Sequence, residues 1–501
     1  MNRRTPLYLY NGHFITLPNA EQVRGLIIDH GLIQRVVRRG DKGVQNLPAM
    51  NLHDAYVIPG FIDSHTHLIS RGIELQRIDL APCRSLDDCL EKLRSARSKH
   101  TAVLFGSNYD ETTWSDYPIE RMTKRTLDAI STSIPVIMRR VCGHFAVVNT
   151  PALKKIPTTW NIVDRRCGHV FKNAALYLND IFPPDGTELR RAIDLGIREA
   201  HKKGITSVHE ITNVERFGLL QRIHAAGRLR LRFSLYLLHT YLDRLRAANL
   251  RSGFGDDMLR LAGIKIFMDG SLGARTAALC RPYRGMRHRG ILMLPASVLA
   301  RTVQIAERDG YQLMIHSLGD RAVARVVQVL GANIPGGNPL RHRLEHVELL
   351  DKRTMNTMAQ KHILASMQPN FVRRWQKPGG LYEQRLGERY RRMNCFKNMQ
   401  DAGIRITFGS DCMPTGPLYG MQGAYAHPFT CGRVSPRTAL MMYTRAGAFA
   451  THDEGKKGRL KQGFLADLVA LDRDPLLTKA THIPRVLLTM VAGNPVYCRL
   501  P

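Results

Sequence analysis

Histidine and aspartate side chains recur in this sequence at spacings that suit metal chemistry. His65 and His67 stand two apart in the stretch GFIDSHTHL. Residues two apart in a strand point to the same face, so both imidazoles can reach one ion. Farther along, the apolar runs LMIH, RLEH and ITFGSD end on His316, His346 and Asp411. Neutral imidazole and carboxylate are the usual ligands of zinc and similar divalent ions, so these residues predict a metal site.

A lysine lies inside another apolar run, GIKIF, where an ammonium group would lose its hydration. If Lys265 is buried and deprotonated, its amine can add carbon dioxide and become a carbamate. The carbamate is an anion with two oxygens, able to bridge two metal ions that compensate its charge. The alternatives are a side chain that extends to solvent and one that pairs with Asp269. We predict a carbamylated Lys265, with both alternatives open.

These residues lie in or at the ends of short apolar runs that alternate with helix-like segments. From Ala55 onward there are eight such runs: AYVIPGFIDSHTH, GITSVHEIT, LRFSLYLLH, LAGIKIFMD, YQLMIHS, RHRLEHVEL, HILASMQPN and IRITFGSDC. Apolar strands that alternate with helices indicate parallel βα units, and eight units close a barrel whose active site lies at the carboxyl ends of the strands. The predicted fold class is therefore α/β, a (β/α)8 TIM-like barrel.

The two chain ends differ from the middle, because they carry alternating β patterns with turn signals. Residues 1–58 and 451–501 are expected to build one small β-sandwich. Residues 59–450 then form the barrel, inserted into that sandwich. The segment between the first and second barrel strands is too long for one helix. It predicts a large insertion after strand one, at about 72–203.

Composition and charge narrow the class of protein further. Hydrophobic residues make up 44% and charged residues 23% of the chain, as in globular proteins. No apolar run reaches the ~20 residues of a membrane helix, and the start shows no signal peptide, so we expect a cytoplasmic protein without a membrane partner. The nine cysteines include no C-x-x-C pair and are expected to be reduced. The net charge is +31, but basic residues occur in short separated groups, so we expect no specific nucleic-acid partner.

Several stretches carry a resemblance to a known family. PGFIDSHTHL, IKIFMDGSLGARTAAL, MIHSLGDRAV, RLEHVEL and FGSDCMP resemble the amidohydrolase superfamily. More closely, they resemble its third amidohydrolase family, with the N-substituted formamide deformylase-like metal-dependent hydrolases. The resemblance covers nearly the whole chain. It implies a bridging carbamate on Lys265 between two pairs of metal ligands, His65 with His67 and His316 with His346.

The resemblance also implies a reaction. Asp411 would hold metal and act as the proton shuttle while activated water cleaves an exocyclic carbon–nitrogen bond of a small amide or formamide, not a peptide. Zinc is the first expectation for the metal, with one or two ions, and manganese and iron also accept these ligands. A cyclic amidase or a deaminase on the same scaffold remains an alternative, because loops select the substrate. A regulator, like the exoenzyme-production regulators of this branch, is another, and a homo-oligomer is left open.

Weaker candidates for substrate contacts are His144, Arg275, Trp114 and Trp375. The stretch VCGHFAVVN resembles a family segment that reads D-G-H, with Cys142 here in place of the acidic residue. Arg275 either binds an anionic group or caps a loop, and the two tryptophans either line an apolar pocket or simply pack. Glu345 is expected to point away from the site, because neighbours in a regular strand face opposite sides.

Overall fold

The structure is a computed structural model. It describes residues 6–16, 23–99, 102–111, 114, 120–141, 143, 145–159, 163–171, 173–477 and 483–501. The strands in these ranges are β1 (Leu7–Phe14), β2 (Val23–Asp29), β3 (Leu32–Arg38), β4 (Ala49–Pro59), β5 (Phe61–Thr66), β6 (Ile78–Asp79), β7 (Leu104–Tyr109), β8 (Val136–Arg140), β9 (Phe145–Val148), β10 (Val163–Asp164), β11 (His169–Phe171), β12 (Ile205–Thr212), β13 (Arg232–Leu238), β14 (Leu259–Phe267), β15 (Gln312–Ser317), β16 (Arg343–His346), β17 (Leu364–Met367), β18 (Ile406–Phe408), β19 (Leu468–Leu471), β20 (Val486–Val491) and β21 (Asn494–Cys498).

Helices follow most strands of the middle of the chain. Within the described ranges they are α1 (Leu68–Glu74), α2 (Leu86–Ala96), α3 (Lys124–Asp128), α4 (Thr150–Lys155), α5 (Asn173–Ile181), α6 (Gly186–Lys202), α7 (Val214–Ala225), α8 (Leu242–Ala247), α9 (Ala296–Asp309), α10 (Asp320–Asn333), α11 (Lys352–Gln360), α12 (Pro369–Trp375), α13 (Leu381–Leu386), α14 (Phe396–Asp401), α15 (Pro417–Tyr425), α16 (Pro436–Met442) and α17 (Arg445–Ala450). Side-chain caps mark some starts, such as Asn213 before α7 and Asp351 before α11. In the described part of the chain, every helix is too short or too polar to span a membrane.

Eight of the described strands form one parallel sheet, in the order β5-β12-β13-β14-β15-β16-β17-β18. Its strands are almost fully buried, as expected for parallel strands covered on both faces. The first and last strands are joined by side chains. Ser64 Oγ lies 2.6 Å from Thr407 Oγ1, and the backbone N–H of Ser410 donates to Asp63 at 2.8 Å. The sheet is therefore nearly closed, and the predicted α/β barrel is confirmed.

Seven of the described strands, all from the two chain ends, form a second sheet in the order β3-β2-β1-β4-β19-β20-β21. Strand β1 pairs antiparallel with β2 and parallel with β4, and β19 pairs antiparallel with β4. The core of this sheet draws on both ends, as shown by the fully buried residues Leu9, Leu26, Val57, Leu468 and Leu488. Both ends of the chain thus contribute to one β-structure, as the sequence predicts.

The segment between β5 and β12 folds mainly as a compact unit of its own, Leu68–Gly196. Six of its described strands form a sheet in the order β10-β11-β9-β8-β7-β6. Its apolar side chains pack into separate clusters, which include Leu90 and Leu93 of α2. The other compact unit comprises Met1–His67 and Ile197–Pro501. The metal-ligand candidates of the sequence all belong to this other unit.

Candidate metal centre

The predicted ligands lie at the carboxyl ends of barrel strands. His65 is the second-last residue of β5, and His346 is the last residue of β16. Lys265 and His316 lie near the ends of β14 and β15, and Asp411 follows β18. In a closed parallel barrel these ends meet at one mouth. The strand positions alone therefore bring these side chains together.

Their distances are those of a ligand cluster. Ligand atoms of His65, His346 and Asp411 all lie within 4.8 Å of one another. Nε2 of His65 lies 3.7 Å and Nε2 of His67 lies 3.3 Å from Oδ1 of Asp411. The ring centroid of His346 lies 4.8 Å from that of His65 and 4.4 Å from that of His316. A divalent ion placed among these rings would find imidazole and carboxylate ligands on several sides.

Hydrogen bonds on the far side of two rings determine which nitrogen faces the centre. The Glu345 carboxylate contacts Nδ1 of His65, and Oε1 of Gln368 lies 2.7 Å from Nδ1 of His346. Because carboxylate and amide oxygens accept hydrogen bonds, we infer that each Nδ1 carries the proton and donates it. Each Nε2 then keeps a free lone pair, which is the form that binds metal.

His316 uses the opposite edge of its ring. Its Nε2 lies 3.0 Å from the carbonyl oxygen of Gly270, so Nε2 donates and Nδ1 keeps the lone pair. Burial, and then the charge of Lys265, lowers the pKa of His316 to about 3, and the same causes lower the pKa of His67 to about 3. Both rings are neutral at physiological pH, as metal binding requires.

Lys265 is the most unusual group of the site. Its side chain is fully buried, and among the described residues its Nζ has no hydrogen-bond partner. Nζ lies 4.9 Å from the ring centroid of Phe267. Burial lowers the pKa of Lys265 to about 8, against the opposing effect of Glu345 and Asp411. An amine in this state lacks a compensating group, and the ligand cluster beside it offers a place for one.

The two alternatives for Lys265 do not describe this structure. A fully buried side chain does not extend to solvent. The Asp269 carboxylate instead accepts hydrogen bonds from the backbone N–H groups of Ala278 at 2.9 Å, Leu318 at 3.0 Å and Gly319 at 2.9 Å. Asp269 therefore braces the loops at the ends of β14 and β15.

The expectation that Glu345 points away from the site is wrong. His346 has φ of 73°, a left-handed conformation that ends the regular alternation of β16. The side chains of Glu345 and His346, although neighbours in sequence, can therefore both reach His65. Sequence reasoning also missed Gln368. Gln368 follows β17 directly, and the metal-ligand candidates likewise stand at the ends of their own strands. This position at a strand end was the signal that could have identified it.

Asp411 is held by the backbone of β5, the first strand of the barrel. Its N–H donates to the carbonyl oxygen of His65 at 2.8 Å, and its φ is 52°. Burial raises the pKa of Asp411 to about 7, although the charge of Lys265 opposes this. Non-glycine residues with positive φ are uncommon and cluster at functional sites. His346 and Asp411 are two such residues among the candidate ligands, and positive φ also occurs at other places in the described chain.

Trp375 lies two rings away from the ligand cluster. Its ring centroid is 4.7 Å from that of Phe371, and Phe371 stacks on His346 at 6.2 Å with an interplanar angle of 8°. Arg275 is half-buried in the segment after β14, with φ of 57°. Both residues thus belong to the barrel unit, and their contact with a substrate stays a prediction.

A third substrate-contact candidate, Trp114, belongs to the compact unit Leu68–Gly196. Trp114 is buried, its Nε1 donates to the carbonyl oxygen of Cys83 at 3.2 Å, and its ring centroid lies 5.7 Å from that of Tyr109. These contacts are those expected if Trp114 simply packs in the interior of its unit. His144 lies outside the described residues.

The closed parallel barrel, with candidate metal ligands gathered at its mouth, is the architecture of (β/α)8-barrel proteins, whose active sites lie at the carboxyl ends of the strands. The chain belongs to the amidohydrolase family, whose model matches residues 49–497. It is therefore a hydrolase that acts on carbon–nitrogen bonds.

Similar proteins are consistent with this assignment. YtcJ of Bacillus subtilis, whose assigned name places it among the amidohydrolases, is 26% identical over 98% of this chain and 99% of its own. N-substituted formamide deformylase of Arthrobacter pascens is 26% identical over 87% of each chain. A solved metal-dependent hydrolase of Pyrococcus furiosus aligns with a TM-score of 0.83 and 25% identity, over 94% of this chain and 100% of that one.

Proposed function

We propose that the chain hydrolyses an exocyclic carbon–nitrogen bond of amide or formamide type in a small molecule, with Asp411 as the proton shuttle. The observation that carries the proposal is the convergence of ligand atoms from His65, His346 and Asp411 within 4.8 Å. The bond type is supported by the similarity to a formamide deformylase. A cyclic amidase or a deaminase would use the same ligands, so substrate tests must separate them.

The residues present fit a divalent metal, with zinc as the first candidate and one or two ions. The fit rests on neutral imidazoles with oriented lone pairs, a carboxylate, and a buried amine without a hydrogen-bond partner among the described residues. When bound, a divalent ion polarises a carbonyl group and lowers the pKa of water. The residues that would hold it are His65, His67, Lys265, His316, His346 and Asp411.

Lys265 would contribute as a carbamate. Its neutral amine adds to the carbon of carbon dioxide, a nitrogen–carbon bond forms, one carbon–oxygen π bond opens, and one amine proton leaves. The product is an anion with two oxygen ligands in place of an amine that has no ligand partner. This change gives the buried position of Lys265 a chemical purpose.

Asp411 would move the proton. Its carboxylate accepts a proton from the attacking water and returns it to the leaving nitrogen, which gives an acid and an amine. Its backbone bond to His65 fixes the carboxylate beside the imidazoles.

The first experiment counts metal ions. Protein grown with bicarbonate and without chelators is analysed by plasma mass spectrometry beside the variant Lys265→Ala. We expect roughly two ions per native chain and the loss of at least one in the variant. One ion that is unaffected by the substitution would contradict the carbamate. A native protein without any metal would contradict the proposed function as a whole.

The second experiment identifies the bond. Metal-loaded protein is assayed on N-substituted formamides and acyclic amides, on lactams and other cyclic amides, and on aminated heterocycles. Release of a primary amine from the first group supports the proposal. Ring opening of the cyclic amides alone would favour the cyclic amidase. Release of ammonia from the aminated heterocycles alone would favour the deaminase. Asp411→Asn serves as the inactive control.

A further inference from the structure

Arg343 is an arginine inside the barrel, with 0% of its surface exposed. It is the largest of the fully buried side chains in the described ranges. Removal of a guanidinium group from water is unfavourable unless several partners compensate it. Hydrophobic side chains normally fill this layer of a barrel. An arginine here therefore requires an explanation from its contacts.

The guanidinium has contacts in three directions. Its Nε forms an ion pair with Oε1 of Glu345 at 2.8 Å, outside hydrogen-bond geometry, and Nη2 donates to the carbonyl oxygen of Ser64 at 2.6 Å. Its third nitrogen, Nη1, lies 2.8 Å from Nδ1 of His209. Because arginine can only donate, Nδ1 of His209 accepts this hydrogen bond. The Glu345 carboxylate therefore keeps its own contact with Nε of Arg343. Two of these three contacts lead toward the metal centre.

Both of those contacts lead to the same metal-ligand candidate. The other oxygen of Glu345 contacts Nδ1 of His65, and Ser64 is the residue immediately before His65. Arg343 therefore acts on His65 through its side chain and through its backbone. With Nδ1 and the backbone of His65 held in this way, Nε2 of the same ring faces Asp411 and lies 3.7 Å from its Oδ1.

We propose that Arg343 is a positioning residue of the metal centre, which fixes the orientation and the tautomer of His65 through Glu345 and the Ser64 carbonyl. The inference rests on the proposed function and adds a residue to it that touches neither metal nor substrate. Lysine cannot replace arginine here. A single ammonium lacks the planar fork that reaches a carboxylate and a carbonyl in two directions at once.

A matched control exists at the opposite end of the barrel. Arg232 is the first residue of β13, is 3% exposed and donates to both oxygens of Asp467, at 2.6 and 2.9 Å. It is also a buried, ion-paired arginine, but its carboxylate partner contacts none of the metal-ligand candidates in the described ranges. Arg343→Lys and Arg232→Lys therefore make the same chemical change with and without a link to His65.

The experiment measures the binding of Co²⁺ alone to metal-free protein, by chelator competition and by the visible d–d absorption bands. We expect Arg343→Lys to weaken Co²⁺ affinity about 10–100-fold and to alter the bands, as loss of the groups that orient a ligand does. Arg232→Lys should keep native affinity and native bands. Thermal unfolding of each variant separates metal binding from stability.

Equal Co²⁺ affinities for Arg343→Lys and Arg232→Lys would overturn the inference. If Arg343→Lys does not fold, Glu345→Gln carries the same comparison, because it retains an acceptor oxygen but removes the charge that Arg343 holds. Native affinity and bands in Glu345→Gln would also overturn it. Native protein that binds no Co²⁺ would overturn the proposed function together with this inference, so the two failures are distinguishable.

Discussion

The Glu345 carboxylate contacts Nδ1 of His65, a residue 280 positions earlier in the chain, and the two side chains are 0% and 1% exposed. Their strands, β16 and β5, are not neighbours in the sheet, since β17 and β18 complete the order between them. The contact therefore crosses the interior and exists only because the barrel closes. Closure of the barrel is therefore required for the candidate ligand His65 to gain this partner.

Asp411→Asn tests the proton shuttle. Asparagine keeps the size of the side chain but neither accepts nor returns a proton. We expect kcat to fall about 10²–10⁴-fold, the usual contribution of general acid–base catalysis. Steady-state kinetics on the best amide of the substrate panel would measure this.

Cys412→Ser is the matched control, since it changes the next residue of the same segment, which also has positive φ. Its kcat should equal that of native protein, and circular dichroism should show both variants folded. An Asp411→Asn variant with native kcat would remove the shuttle role from Asp411.

Local patterns in the sequence were sufficient to predict the barrel and the cluster of metal-ligand candidates. Each of His65, His316 and His346 ends an apolar run, and the carboxyl ends of parallel strands meet at one edge of the barrel. The burial of Lys265 also followed from its own neighbours, because Ile264 and Ile266 flank it in the sequence. These features depend on strand period and order, which a single chain reveals.

The partners of those residues could not be predicted in the same way. Glu345 and His346 can both reach His65 because His346 adopts φ of 73°, and nothing in the run RLEHVEL indicates a left-handed residue. Arg343 contacts the carbonyl oxygen of Ser64, 279 positions earlier in the chain, and Gln368 contacts His346 across two neighbouring strands. Such contacts depend on the register of the closed barrel, and strand pattern alone does not determine register.

Lys265→Met tests the cost of the unpaired amine. Methionine has a similar length without the polar group, so in metal-free protein it removes a buried donor that has no hydrogen-bond partner among the described residues. We expect the metal-free variant to be more stable than metal-free native protein by about 1–3 kcal/mol. Urea unfolding with a chelator present would measure the difference.

The same variant should bind fewer metal ions, so that the native protein regains the advantage when metal is added. A metal-free Lys265→Met variant that is less stable than native protein would mean that the amine has a compensating partner. It would also weaken the argument for the carbamate.

Asp453 should make the free energy of unfolding depend on pH in the acidic range. Its Oδ1 accepts from Nη1 of Arg260 at 2.8 Å, and its Oδ2 lies 2.9 Å from Nζ of Lys457. Burial alone raises the pKa of Asp453, but Lys457 and then Arg260 lower it to about 2. The folded pKa is below the unfolded value of about 3.9, so this stabilisation is complete above roughly pH 4 and is lost as pH falls through about 2.

We therefore expect Asp453→Asn to lower the free energy of unfolding by about 3–5 kcal/mol at pH 6, where it leaves Arg260 and Lys457 without their carboxylate. The difference from native protein should narrow at pH 3. Asp87→Asn is the control, because Asp87 pairs with Arg121 at the surface, with 68% of its side chain exposed. A pH-independent effect of Asp453→Asn would contradict the ionic origin of the stabilisation.

Cys395 and Cys431 should form a disulfide under oxidising conditions. Their sulfur atoms lie 2.8 Å apart, within about an ångström of the bonding distance of ~2.05 Å. With oxidised glutathione as the oxidant, the two thiols lose their hydrogens as the glutathione disulfide is reduced to two thiols. The new bond closes a loop between residues 36 positions apart, so we expect the oxidised protein to be more stable by about 3–4 kcal/mol.

Alkylation followed by mass spectrometry would measure this, since two thiols should become protected and a reductant should release both. The exposed thiols of Cys280 and Cys498 should react with the alkylating agent both before and after oxidation. Cys431→Ser is the control, because it leaves Cys395 without its partner and should abolish both the protection and the gain in stability. Full alkylation of Cys395 and Cys431 after oxidation would contradict the prediction, because two sulfur atoms this close need little movement of the backbone to bond.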